Sequence, residues 1–128
     1  MKYLLDTHAL LWWWTDDSQL SATARACIQD ETNIILISAA SAWEIATKHR
    51  LGKLSQAVEA ISRFNELVDL DAFQHLPVSY LHALRAGGLT TDHRDPFDRV
   101  LAAQSELEGV PLITCDSAFK AFRVQTIW

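Results

Sequence analysis

Four acids fall where strand ends and helix starts would bring carboxylates to one edge of a sheet. Asp6 directly follows the aliphatic run Lys2–Leu5, which reads as a strand, and Asp116 comes three residues after a second such run, Val110–Ile113. In an open parallel sheet the ligand crevice lies beyond the carboxyl ends of the strands, so these two carboxylates face one cleft if their strands are neighbours. Asp98 belongs to the first turn of a helix opened by Asp95-Pro96, and Glu44 lies one to two turns into a helix over Ser38–Arg50. Both can lean over the same edge.

Each acid taken singly also has a structural reading. Asp6 and Asp116 fit helix N-caps, and Asp98 fits the third helical position, where the helix dipole favours negative charge. Glu44 stands four residues before Lys48, a surface ion-pair spacing worth a few tenths of a kcal/mol. On a helical wheel it falls opposite Ala39, Ala42, Trp43 and Ala46. Taken together the four point elsewhere. If they converge within about 4 Å, each pair repels by roughly 4 kcal/mol at an effective dielectric near 20, which no capping bond offsets. Such a cluster persists only to bind cations. Hard oxygen donors with no cysteine among them and no fixed histidine pair suit Mg²⁺ or Mn²⁺ rather than zinc.

The elements that must position these acids follow from the alternation of short apolar runs with longer helical stretches, the rhythm of a parallel sheet with crossover helices. Candidate strands are Lys2–Leu5, Asn33–Ile37, Phe73–Leu76, Val110–Ile113 and Val124–Ile127. The second and fourth read as runs buried on both faces. Ser21 reads as the N-cap of a helix to about Asp30, and Ser55 as the cap of another in which Val58, Ile61, Leu67 and Val68 recur near helical spacing. Asp95-Pro96 predicts a helix start and Gly109 its exit near Glu108.

At 128 residues and 49% apolar, the chain has the size of one domain, 1–128, with a core that needs no disulfide. A formal charge of -5 argues against nucleic-acid binding by bulk positive charge, but not against a site that holds cations first. Cys27 and Cys115 read as reduced, ordinary residues. The first apolar run is broken by Asp6 and His8, so neither a signal peptide nor a membrane span is expected, and a cytoplasmic location is. Lys48, His49, Arg50 and Lys53 form the one dense basic run; it fits a solvated helix end, and Lys48, Arg50 and Lys53 also stand where RNA phosphates would be met beside Glu44. His8 and His93 lie near the proposed site segments but read as structural or surface residues. Trp12-Trp13-Trp14, beside Leu10 and Leu11, fits burial or an oligomer interface better than base stacking.

The segments Tyr3-Leu4-Leu5-Asp6-Thr7-His8, Ser38-Ala39-Ala40-Ser41-Ala42-Trp43-Glu44-Ile45, Asp95-Pro96-Phe97-Asp98-Arg99 and Leu112-Ile113-Thr114-Cys115-Asp116 resemble, in order and spacing, the four motifs of PIN-domain toxins of the VapC type. The Trp-Glu-Ile and Asp-Pro-Phe-Asp-Arg pieces are specific; Leu-Asp-Thr alone is not. The resemblance covers nearly the whole chain and implies a three-layer α/β/α sandwich around a five-stranded parallel sheet. It implies a metal-dependent endoribonuclease whose acidic quartet is Asp6, Glu44, Asp98 and Asp116, with Thr7 and Thr114 beside the metal-bound waters and Asp95 and Arg99 as second choices. It further implies Mg²⁺ or Mn²⁺, an RNA substrate, a homodimer, and a cognate antitoxin encoded nearby, for which the Trp-rich first helix is a docking surface. Two departures are the heavy Trp run and Cys115 between two site residues.

Other chemistries fit less well. A phosphoacceptor signalling domain should present an acidic pair after the first strand and an Asp after the third, whereas a single Asp follows the first and Pro77-Val78 follow the third. An aspartate-nucleophile phosphatase should carry a second Asp two residues after Asp6, where His8 stands. A non-catalytic metal-binding module stays open as the alternative.

Overall fold

Alternation of side chains on a pleated strand sends Tyr3 and Leu5 to one face of a sheet and Leu4 to the other. The computed structural model, which describes residues 1–128 apart from the side chain of residue 56, builds its two cores on that alternation. Strand β1 spans Lys2–Leu5, β2 Ile34–Ser38, β3 Gln74–Leu76, β4 Leu112–Ile113 and β5 Thr126–Ile127. Tyr3, Leu5, Ile35, Ile37 and Ile113 join one apolar cluster, and Leu4, Leu36 and Leu112 join another on the opposite face. Leu4 and Leu112 are fully covered, each contributing about 1.5–3 kcal/mol by the usual area scale.

The strands pair in parallel in the order β3-β2-β1-β4-β5, as a five-stranded sheet. The winding direction reverses between β1 and β4, the place where loops part and a crevice opens in such sheets. The two strands carrying Asp6 and Asp116 are therefore neighbours. Strand β1 has its expected bounds, and β4 keeps its expected end but not its start. Strand β4 begins later than Val110, although the Pro111 carbonyl already accepts the Leu4 N–H at 3.0 Å, because proline has no amide to give the ladder.

Seven helices cover the faces among the described residues: α1 Thr7–Trp14, α2 Ala22–Gln29, α3 Ala39–Arg50, α4 Val58–Ser62, α5 Phe64–Leu70, α6 Tyr80–Gly88 and α7 Pro96–Glu108. Ser21 caps α2 as expected, accepting the Ala24 N–H at 3.0 Å. Asp95 caps α7 through the Phe97 and Asp98 amides, Pro96 opens it, and Gly109 ends it in the left-handed region at φ 66°. The helix expected from a Ser55 cap differs. Ser55–Ala57 is a 3₁₀ turn without a side-chain cap, and α4 and α5 follow with a break at Arg63. Ala57, Ala60 and Val68 face inward there, leaving Val58 and Ile61 exposed, so the larger side chains misreport the buried stripe. No helix of the described residues is long and apolar enough to cross a membrane.

The tryptophan run turns inward. The Nε1–H groups of Trp13 and Trp14 both donate to Asp71 Oδ2, at 3.1 and 3.0 Å, while Trp14 meets Phe64 edge-on and Trp12 packs against Trp128. These contacts fasten α1 to the turn before β3 and to the last strand's end, so the indoles of Trp13 and Trp14 are occupied within this chain.

Candidate active site

Strand β1 passes into α1 with no loop between them, which leaves Asp6 as the cap of α1 with its carboxylate at the helix N-terminus. Oδ1 accepts the Ala9 N–H at 2.7 Å and Oδ2 accepts the Thr114 hydroxyl across from β4. The residue is only 5% exposed, and burial raises its pKa despite these two hydrogen bonds and the nearby His8. Glu44 adds a further upward push.

Glu44 is 3% exposed, against the solvated face that its spacing alone predicts. The buried residues of α3 are Ala40, Ser41, Glu44 and Ile45, while Ala39, Trp43, Ala46 and Arg50 are turned out. The helical wheel misleads because the Ala-rich side carries little apolar area, so packing of Ile45 and the polar site decide the orientation. The expected ion pair to Lys48 is present nonetheless. Ser41, one turn before Glu44, accepts the buried Thr7 hydroxyl at 3.0 Å and ties α3 to α1. It belongs with the site residues; its signal in the sequence is the Ser-x-x-Glu spacing that puts both on one helix face.

Asp98 stands in the first turn of α7 with His93 Nε2 at 2.8 Å from Oδ2. Burial pushes its pKa up to about 6, the His93 contact opposes this, and Asp95, Glu44 and Asp116 each add to the rise. Asp116 is more exposed. It caps the 3₁₀ turn Ser117–Ala121, accepting the Ala118 N–H at 2.9 Å, and its own N–H donates to Thr114 Oγ1 at 3.0 Å. Thr114 thus links Asp6 to Asp116 across the β1/β4 crevice. Asp6 and Asp116 each cap a helical turn while lying beyond the ends of the neighbouring strands β1 and β4.

The second-choice residues are committed locally. Asp95 caps α7. Arg99 donates to the carbonyls of Ala86, Leu89, Thr91 and His93 at 2.6–3.2 Å, with Gly87 at 3.5 Å, so its guanidinium clips the segment between α6 and α7. Lys48 is the basic residue nearest the acids: burial lowers its pKa, but Glu44 with Asp95 and Asp98 carries it above the ordinary lysine value. Arg50 and Lys53 are exposed at and beyond the end of α3.

The quartet is therefore one electrostatic unit, since Glu44 acts on Asp6 and on Asp98, and Asp116 acts on Asp98. Among the described residues, no three His, Cys, Asp or Glu side chains come close enough as placed to hold an ion outright. As placed, Lys48 pairs with Glu44 and His93 with Asp98. The donor set nonetheless fits a hard divalent cation: buried carboxylates whose charge is costly alone, flanked by the hydroxyls of Thr7, Ser41 and Thr114.

The raised Asp98 pKa has a consequence for stability. Between the ordinary value of 3.8 and about 6 the folded chain keeps a proton that the unfolded chain has released, so this group lowers stability as pH rises through that window. The loss is on the order of 1–2 kcal/mol after solvent screening. Urea unfolding of the metal-free protein and Asp98→Asn at pH 4.5 and 7 should show the variant gaining relative to wild type at the higher pH. A difference that is the same at both values contradicts the raised pKa.

Comparison with known proteins identifies the family and the fold. A family model described as PIN domain matches residues 3–124. Thirty residues are 70% identical to Ribonuclease VapC16 of Mycobacterium tuberculosis (strain ATCC 25618 / H37Rv), covering 23% of this chain and 21% of that protein. The match thus spans about a fifth of that relative's length. The fold is similar to VapBC2 from Rickettsia felis bound to a DNA fragment from its promoter, with a TM-score of 0.69 at 16% identity over 99% of this chain and 98% of that one. VapBC-1 from nontypeable Haemophilus influenzae gives 0.65 at 18% over 99% and 97%. A toxin-antitoxin complex from Klebsiella pneumoniae gives 0.56 at 16% over 98% and 96%. At these identities the likeness is one of fold.

Proposed function

Because this chain belongs to the PIN-domain family, we propose that it is a metal-dependent endoribonuclease hydrolysing RNA phosphodiesters with water, and the toxin of a toxin–antitoxin pair. The observation that carries this reading is the run of electrostatic couplings from Asp6 to Glu44, Glu44 to Asp98 and Asp98 to Asp116, with Asp6 and Glu44 almost wholly buried. A buried pair of like charges is costly to maintain without a cation to bind.

Asp6, Glu44, Asp98 and Asp116 would hold Mg²⁺ or Mn²⁺, which when bound supplies a more acidic water and neutralises charge growing on the phosphate. The chain's own residues prepare the place. Thr114 fixes the Asp6 carboxylate, His93 orients that of Asp98, and the Thr7–Ser41 bond holds α3 so that Glu44 faces inward. Lys48 pairs with Glu44 and is placed to meet substrate phosphate. Unpaired RNA is the substrate class, since splayed strands enter a crevice that excludes a duplex.

The relative named a ribonuclease and the toxin-antitoxin complex of the same fold support the toxin reading. A small antitoxin encoded nearby is the proposed partner, and a homodimer the proposed assembly. Purified protein incubated with structured RNA and Mg²⁺ or Mn²⁺ should leave 5′-phosphate and 3′-hydroxyl ends, and chelator should stop cleavage. Metal-independent cleavage leaving 2′,3′-cyclic phosphates would instead assign acid–base chemistry to histidines such as His8 and His93 and overturn the proposal.

A further inference from the structure

Trp43 is 56% exposed although it neighbours the buried Glu44. It is not loose: its ring meets that of the buried Phe97 at 4.6 Å between centroids and 74° between planes. Phe97 in turn neighbours Asp98. One aromatic pair therefore spans the gap between α3 and α7 at the rim of the acidic crevice, and an edge-to-face contact uses at most one face of the indole. Along α3, Trp43, Ala46, Thr47 and Arg50 share a stripe at helical spacing, with two small residues between the indole and the exposed guanidinium, about 10 Å apart along the axis. This chain carries 11 Lys and Arg against 16 acids, yet Lys48, Arg50 and Lys53 gather at this end of α3. Another set of exposed apolar residues, Tyr80, Leu81, Leu84 and Leu107, lies at the far end of α7 from Asp98, since His82 reaches Glu108 there.

We propose that Trp43 is the stacking platform for an unpaired RNA base at the mouth of the crevice, with Arg50 meeting phosphate on the same helix face. A rigid, half-exposed indole offers a π-face to any base, and neighbouring cations match the backbone that the base brings with it. The inference rests on the endoribonuclease reading and adds to it the group that holds substrate beside the acids.

The test uses the metal-loaded protein with a short single-stranded RNA of mixed sequence, measuring cleavage kinetics together with indole quenching in chelator. Trp43→Ala should raise KM about 10-fold with kcat changed far less, and Trp43→Phe should recover most of the loss. Arg50→Gln should weaken binding more at low salt than at high. Quenching by RNA should be present in wild type and smaller in Trp43→Phe, a readout that needs no cleavage. A wild-type protein that cleaves no RNA refutes the enzymatic reading. Wild-type cleavage with an unchanged KM in Trp43→Ala refutes only the platform. Conversion of a wild-type dimer to monomers by Trp43→Ala, with KM unchanged, would also overturn it and assign this face to a second copy of the chain.

Discussion

Asp6→Asn is expected to lower RNA cleavage roughly a thousandfold, about 4 kcal/mol of transition-state stabilisation, while leaving the metal-free fold at least as stable at neutral pH. The two effects separate because the Asp6 carboxylate does two things. On the proposed function its charge serves cation binding, and its shape serves the fold: Oδ1 caps α1 through Ala9, and Oδ2 bonds Thr114. An asparagine Oδ1 accepts the same amide, and the Thr114 hydroxyl can rotate to accept from Nδ2. What is lost is a charge that burial already disfavours. Cleavage rates and thermal melting measured side by side at neutral pH check both halves. Full activity in Asp6→Asn would reduce the residue to a helix cap. Asp6→Ala is the poorer test, because it removes the cap as well, about 1 kcal/mol, and mixes stability into the result.

Arg99→Ala should cost about 3 kcal/mol and roughly 10 °C in melting temperature, the largest loss expected from any polar residue outside the quartet. The planar fork satisfies carbonyls from Ala86, Leu89, Thr91 and His93 at once, and no neighbouring donor replaces it in the structure. Arg99→Lys should recover only part of the loss, since a point charge on a flexible stem cannot bridge four diverging acceptors. Hydrogen exchange over 87–93 should accelerate in both variants. A folded, fully stable Arg99→Ala protein that has lost only activity would return Arg99 to the substrate site.

These two residues mark how far the sequence carries. Asp6 is legible because strand, acid and helix are contiguous, and Asp95-Pro96 with Gly109 brackets α7 by rules that need no tertiary information. The neighbouring of β1 and β4 is not local, and only the parallel rhythm and the family resemblance anticipate it. Glu44 shows the limit more sharply. Its spacing to Lys48 predicts the ion pair, but whether that pair is wet or buried depends on what α3 packs against, and the wheel chose the wrong side. Arg99 sits in a motif that invites a catalytic reading, yet its partners are main-chain carbonyls, which no sequence displays. The broken stretch over 55–70 fails for a related reason: alanines, not the larger Val58 and Ile61, meet the core.

The Asp6–Thr114 bond joins residues 108 positions apart. Chain order therefore becomes a clock. At roughly 5–20 residues per second of synthesis, several seconds pass after Asp6 leaves the ribosome before Asp98, Thr114 and Asp116 exist to face it. Until then β1 has only one of its two neighbours, and half of the carboxylate set has not been made. Under the proposed function, a nascent chain of this topology cannot yet hydrolyse RNA beside the ribosome that is producing it. On the same proposal, the interval gives an antitoxin time to accumulate before the first acidic site closes.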